Sequence, residues 1–232
     1  MDINTHLEAI AKSYDSVIQA GRDSDPYKNL PESITGDPRY PFWESEAESN
    51  ESSGSIKIVD FLAPSSGMKF IDLGCAANLI IRGYDKWESL YYGVDISPET
   101  INMLNWNVKN KNLTIGELHC GSIHETPFAD YFFDIAACIG VLEYFEGDYL
   151  ESALKEAHRI IKPSGKFVID IPNIQSASGQ IMKKIEEYLG RPSKFNLPKS
   201  EFESILTRYF DIIVSNGTDS TSMLTYFLQC KK

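Results

Sequence analysis

Two short acid-tipped runs carry the chemistry of this chain. The first is Lys69-Phe-Ile-Asp-Leu-Gly-Cys-Ala-Ala-Asn78, an apolar strand ending in an acid, a glycine and a turn of small residues. The second, Leu90-Tyr-Tyr-Gly-Val-Asp95, follows about one strand–helix–strand unit later and again ends in an acid. This is the layout of a nucleotide-type site at the carboxyl edge of a parallel sheet. The turn after Gly74 lets backbone approach a ligand, and the Asp95 carboxylate can accept from both hydroxyls of a ribose. A dinucleotide turn would read Gly-x-Gly-x-x-Gly, but here Gly74 is followed by Cys75-Ala-Ala-Asn78. No Gly-Lys-Ser/Thr phosphate loop is present either. Both absences weigh against NAD and ATP.

The elements that position these acids alternate regularly. Strands are expected over 69–73, 90–94, 114–120, 132–139 and 166–171, and closing strands over 211–214 and 224–229. The run 132–139 is continuously apolar, as in a parallel sheet buried on both faces. Helices are expected over 56–62, 79–88 (short or irregular), 97–109, 148–161 and 201–209. Ser97-Pro98-Glu99 opens its helix with an N-cap, a proline at the first position and an acid in the first turn. Lys162-Pro-Ser-Gly165 is read as a turn, and residues 174–197 as a helical insert. Such alternation implies a three-layer α/β domain with a mainly parallel sheet and an antiparallel pair at one edge.

Before this unit, Leu7, Ile10, Ala11, Tyr14, Val17 and Ile18 repeat at the helical period over residues 3–20. A proline- and aromatic-rich loop follows, from Pro26 to Trp43, and reads either as a lid or as aromatic packing. The acidic run 44–55 is read as a mobile link. The division is therefore residues 1–55 as helix, aromatic lid and link, and 56–232 as the main domain.

Composition narrows the function. The formal net charge is −11 and the basic clusters are short, which lowers the case for a DNA or RNA substrate. No apolar run approaches a membrane span, and no basic start precedes an apolar stretch, so a cytoplasmic protein is expected. Cys75, Cys120, Cys138 and Cys230 are scattered, without a Cys-x-x-Cys or Cys/His cluster. Reduced, buried thiols and no metal site are expected.

Four runs in order resemble the class I S-adenosylmethionine-dependent methyltransferases, in particular the small-molecule branch similar to the type 11 and ubiquinone-biosynthesis enzymes. Phe70-Ile-Asp-Leu-Gly-Cys75 matches the family's first motif and Tyr92-Gly-Val-Asp-Ile-Ser-Pro98 its ribose motif. Pro127-Phe-Ala-Asp-Tyr-Phe-Phe-Asp134 resembles the stretch into the fourth strand, and Arg159-Ile-Ile-Lys-Pro-Ser-Gly-Lys166 the turn before the fifth. The resemblance implies a Rossmann-like, seven-stranded sandwich with an antiparallel edge strand, and S-adenosylmethionine as cofactor. It implies cofactor contacts from Asp72, Gly74, Cys75, Ala76, Asp95, Ile96, Ser122, Ile123 and Ile139. Later glycines of the first motif fall on Ala76 and Asn78, and Ser122 stands where many relatives have an aspartate. Asparagine tolerates positive φ best among non-glycine residues.

The acceptor implied is a small, partly apolar metabolite methylated on O, N or C, with no nucleic acid, no membrane span, and a monomer or homodimer. Orientation alone can supply roughly 7–11 kcal/mol of such a displacement, so a base is optional. Glu143 and Tyr144, just after the fourth strand, are the candidates for base or acceptor contact, with a structural role for Glu143 kept open. Tyr14, Arg39, Tyr40, Phe42, Trp43 and His124 are candidates for lid or acceptor contacts. A cofactor-binding regulatory protein with weakened catalysis, or a protein methyltransferase, are the alternatives.

Overall fold

A computed structural model describes residues 3–20, 29–48, 57–145, 147–191, 194–218 and 220–232. Its centre is a seven-stranded sheet in the order β3-β2-β1-β4-β5-β7-β6. The strands are β1 (Lys69–Leu73), β2 (Leu90–Asp95), β3 (Glu117–Cys120), β4 (Phe133–Cys138), β5 (Ile161–Pro172), β6 (Phe210–Asn216) and β7 (Met223–Cys230). β1 through β5 pair in parallel, and β7 runs antiparallel to both β5 and β6. The reversed strand expected near that edge is therefore β7, seated one place inside β6. Strand order reverses between β1 and β4, so the carboxyl ends of β1, β2 and β4 converge on one crevice.

The helices are α1 (Ile3–Ala20), α2 (Glu32–Thr35), α3 (Tyr40–Glu48), α4 (Ile58–Leu62), α5 (Asn78–Ile81), α6 (Pro98–Asn110), α7 (Gly147–Ile160), α8 (Ala177–Tyr188) and α9 (Lys199–Leu206). Two buried apolar clusters cover the sheet. One holds Ile71, Val94, Phe133, Ile169 and Tyr226; the other holds Phe70, Tyr91, Ile135, Val168 and Phe227. Successive residues of one strand go to opposite clusters, as the pleat requires, with an irregularity between Phe133 and Ile135 shifting β4 by one.

Two of the sequence motifs act as structural clamps. The Arg159 guanidinium bonds Asp130 at 2.7 Å and the Glu156 carboxylate at 2.7 and 2.8 Å. Glu156 also accepts from the Thr126 N–H and hydroxyl. Asp134 accepts from the Lys69 N–H at 2.8 Å and from the Lys162 ammonium, tying the entrances of β1, β4 and β5 together.

Several expectations shift, among them the loop 26–43, whose described residues include α2 and the start of α3. The fifth strand begins at Ile161 rather than Lys166, because Ile161 already pairs with Phe133 and Lys162–Gly165 bulges out of the ladder, with Ser164 at φ 65°. β3 begins at Glu117 rather than Thr114. Glu44–Glu48 belongs to α3 instead of a mobile link, while 49–55 lie outside the described residues. Within the insert 174–197 the described residues hold one helix, α8 (Ala177–Tyr188), capped by Ser176, whose Oγ accepts from the Gly179 N–H. Cys75, Cys138 and Cys230 are buried thiols, and Cys120 is an exposed one.

Candidate functional site

A cavity with about 530 Å³ of empty space, partly open to solvent, lies at the carboxyl edge of β1, β2 and β4. One wall is the turn after β1 with Gly74 and Ala76, and a second is Asp95 and Ile96 at the end of β2. Gly121, Ser122 and Ile123 follow β3, and Ile139, Gly140 and Val141 follow β4. The cover comes from α1 through Leu7, Ile10 and Tyr14, and from Tyr144, Phe145 and Tyr149 around the start of α7.

The first turn is held by Val94, whose carbonyl accepts from the N–H groups of Gly74 at 2.8 Å and Cys75 at 2.9 Å. Gly74 has φ +74°, and a Cβ there would lie 2.2 Å from Val141 Cγ2. Only glycine combines that backbone with that contact. Ala76 also has positive φ, 39°, whereas Asn78 starts α5 in an ordinary helical conformation. The non-glycine left-handed residue of the turn is thus the alanine and not the asparagine, the type most at ease there.

Asp95 is 7% exposed. One carboxylate oxygen accepts from the Ala76 N–H at 2.8 Å, and the other from the Ser97 N–H at 2.9 Å. Burial pushes its carboxyl above the ordinary range, and the Ser97 and Ala76 N–H groups pull it back. Each oxygen keeps a further lone pair. The residue therefore shapes the turn and the start of α6, and still offers two acceptors at the cavity wall.

Of the other sequence candidates, Ile96, Ser122, Ile123, Ile139, Tyr14 and Tyr144 line the same cavity. Asp72 and Cys75 are fully buried and sit behind it. Burial raises the Asp72 carboxyl to about 7, and the Tyr91 hydroxyl that donates to it at 3.1 Å opposes the shift. Glu143 is also behind the lining. Burial, then the nearby Asp170, raises it to about 8, and its carbonyl accepts from Lys194 and Phe195 N–H. His124 does not line the cavity; its Nδ1 is 2.7 Å from Ser122 Oγ, which also bonds the Tyr149 hydroxyl.

Arg39, Tyr40, Phe42 and Trp43 are not brought to this cavity. Arg39 pairs with Asp37 at 2.7 Å. Tyr40 and Trp43 pack around Ile34, Ile181 and Ile185, between α2, α3 and α8. Phe42 is 58% exposed on the outer side of α3. Aromatic composition alone cannot distinguish a lid from an ordinary helix contact. The lining residues Leu7, Ile10, Val141, Phe145 and Tyr149 escaped sequence reasoning. The spacing of Leu7, Ile10 and Tyr14 marks one helical face, but not what that face covers. Among the described residues, no cluster of His, Cys, Asp or Glu could hold a metal ion, and no helix is long and apolar enough to cross a membrane.

Comparison with known proteins agrees with the motif order. Residues 71–169 match the family described as a methyltransferase domain. Over that stretch the chain is similar to methyltransferase domains. That stretch is the floor of the cavity, from β1 to β5. Among curated proteins, a sterol 4-C-methyltransferase of Caenorhabditis elegans is 26% identical over 113 residues, 48% of this chain and 33% of the relative. An uncharacterized protein of Methanocaldococcus jannaschii is 32% identical over 107 residues, 46% of this chain and 41% of the relative. The match thus spans well under half the length of these relatives. Among solved structures, a geranyl diphosphate C-methyltransferase from Streptomyces coelicolor A3(2) superposes with TM-score 0.67 at 13% identity, covering 97% of this chain and 98% of the other. The PH0226 protein from Pyrococcus horikoshii OT3 gives TM-score 0.62 at 18% identity, over 90% of this chain and all of the other. At such identities the likeness concerns the fold.

Proposed function

We propose that this chain transfers a methyl group from S-adenosylmethionine to O, N or C of a small, partly apolar molecule. The observation that carries the reading is the Asp95 carboxylate, set in the wall of a cavity at the switch point of a methyltransferase fold. Asp95 would take the ribose hydroxyls, Ile96 and Ile123 would flank the adenine, and Ser122 would meet its edge. The turn at Gly74 and Ala76 would border the amino-acid part. When bound, the cofactor supplies an electrophilic methyl on a cationic sulfur.

The residues of the chain orient the acceptor and exclude water. Leu7, Ile10, Ile139, Val141 and Phe145 give an apolar surround, and Tyr14 and Tyr144 give two hydroxyls. Displacement needs the acceptor in line with the breaking bond, and holding two reactants in place is worth roughly 7–11 kcal/mol. A base adds only about 10²–10⁴-fold. Glu143, behind the lining, would act on the wall only through Tyr144. A named relative that acts on a sterol supports an apolar acceptor. We take the domain 56–232 as the catalytic unit, with α1 as its cover.

Calorimetry with S-adenosylhomocysteine tests the reading. Binding that Asp95→Ala abolishes is expected; no heat and no thermal shift at millimolar ligand refutes it. The left-handed alanine, Ala76, favours a second reading, a cofactor-binding protein that has lost turnover. Methyl transfer to any acceptor in a broad panel excludes that reading.

A further inference from the structure

Tyr14, Tyr144 and Glu186 form a hydrogen-bonded row that starts at the cavity and ends behind it. The Tyr144 hydroxyl donates to Glu186 Oε2 at 3.3 Å. It also lies 3.1 Å from the Tyr14 hydroxyl. A carboxylate only accepts, and a phenol has one proton. Tyr144 therefore spends its proton on Glu186, and the proton between the two tyrosines must come from Tyr14. The row has one direction, Tyr14 to Tyr144 to Glu186.

Direction decides what the row can bind. Tyr14 has given its own proton inward, so its oxygen is left only as an acceptor. Among the described residues, nothing donates to it. Both tyrosines line the cavity. Arg191 fixes the sense of the row: Nη1 lies 3.9 Å from Glu186 Oε2, and the guanidinium sits 5.6 Å from the centre of the Tyr14 ring. It is not among the lining residues, and its charge is balanced by Glu186. Apolar side chains, Leu7, Ile10, Val141 and Phe145, make up the neighbouring wall.

We infer that this row selects a ligand whose apolar body ends in a hydroxyl, amine or ammonium hydrogen, and disfavours one that ends in an anion. The inference deepens the proposed function by naming the end group that the cavity takes. Two sources fit that chemistry: the ammonium of the cofactor's amino-acid part, or a second molecule beside it.

The test uses the full chain loaded with S-adenosylhomocysteine and three probes of one shape: octan-1-ol, octylamine and octanoate, with dissociation constants from calorimetry. If a second molecule is the source, the alcohol and the amine bind about 5- to 30-fold more tightly than octanoate, the worth of one buried hydrogen bond. Glu186→Gln brings that ratio towards one, because the amide donates to Tyr144 and lets the row run backwards. Tyr14→Phe removes the end of the row and does the same. If the cofactor's ammonium is the source, both variants weaken S-adenosylhomocysteine by that factor and leave 5′-methylthioadenosine, which lacks the amino-acid part, unchanged. Octanoate binding most tightly, or variants that move neither the ratio nor the S-adenosylhomocysteine affinity, overturns the inference. A wild-type chain that binds no S-adenosylhomocysteine refutes the cofactor reading alone. The three probes on the unloaded chain then decide this one.

Discussion

Gly74→Ala isolates the physics of the first turn. Two separate costs arise. The residue sits at φ +74°, and a left-handed conformation costs an L-residue roughly 1–2 kcal/mol. The new Cβ would lie 2.2 Å from Val141 Cγ2, 3.1 Å from Cγ1 and 3.3 Å from Cβ. Rotation about the single side-chain torsion of valine cannot clear all three, so Val141 must move with its backbone, an overpacking cost of about 1–3 kcal/mol. Alanine also restricts the unfolded chain, which returns about 0.4–1 kcal/mol. The net expectation is a loss of about 1–5 kcal/mol, read from the urea midpoint at constant slope.

The two costs can be separated. Val141→Ala removes the steric share and leaves the backbone share, so the double-mutant cycle should show a coupling of about 1–3 kcal/mol. Because Val141 also lines the cavity, the single variant should lose S-adenosylhomocysteine affinity, and the double variant should regain part of it. A Gly74→Ala chain within about 0.5 kcal/mol of the parent, or a cycle with no coupling, would refute this account of the turn.

Ala76→Gly should be neutral or stabilising by up to about 1.5 kcal/mol, since relief of a left-handed alanine exceeds the added freedom of the unfolded chain; a lowered urea midpoint contradicts this. Asp95→Asn replaces a double acceptor with an amide that must turn its NH₂ towards the N–H of Ala76 or Ser97. It should cost roughly 1–3 kcal/mol of stability and at least about tenfold in S-adenosylhomocysteine affinity, measured by denaturation and calorimetry. The buried carboxyls give a pH profile. Asp170 is raised to about 6 by burial, Asp72 to about 7 and Glu143 to about 8. Each holds its proton in the folded chain where the unfolded chain has released it. Their contribution is therefore complete below the unfolded values near pH 4 and lost as pH rises through 6 to 8. The ligand-free chain should lose on the order of a few kcal/mol between pH 5 and 8.5, and Glu143→Gln should flatten the upper part of the curve; stability that rises over this range contradicts the assignment.

What the sequence made legible was local. Lys69–Leu73 is a strand to the residue, because its apolar run is bounded by Gly67 and Gly74. Ser97 caps α6 as its type and position require, its Oγ accepting from the Thr100 N–H at 3.0 Å. The motif acids proved to have unlike duties: Asp95 faces the cavity, whereas Asp130 and Asp134 hold strand entrances together. Type and spacing were the same kind of signal for all three, and only the pairing of Arg159 and Lys162 with the last two separates them. Tertiary placement was the part that spacing did not carry. An apolar face on α1 demands a partner but does not name one, and the aromatic segment 40–43 found its partner in α8 rather than over the site.

The matched stretch, 71–169, and the cavity are not the same unit. The stretch builds the floor, but Leu7, Ile10 and Tyr14 of the cover lie outside it, as do Glu186 and Arg191 behind it. α1 is joined to both sides of the floor. His6 Nε2 lies 2.7 Å from the Tyr144 carbonyl and Tyr14 meets the Tyr144 hydroxyl, on the β4 side. On the β2 side, the Ser97 hydroxyl donates to Asp15 at 2.5 Å, and the same residue's N–H bonds Asp95. A shift of α1 therefore changes the support of the carboxylate assigned to the ribose and the hydroxyl row together. The floor lies within the matched stretch, so resemblance bears on the cofactor proposed for it. α1 and α8 lie outside the matched stretch, so the end group proposed is read from Tyr14, Tyr144 and Glu186 themselves.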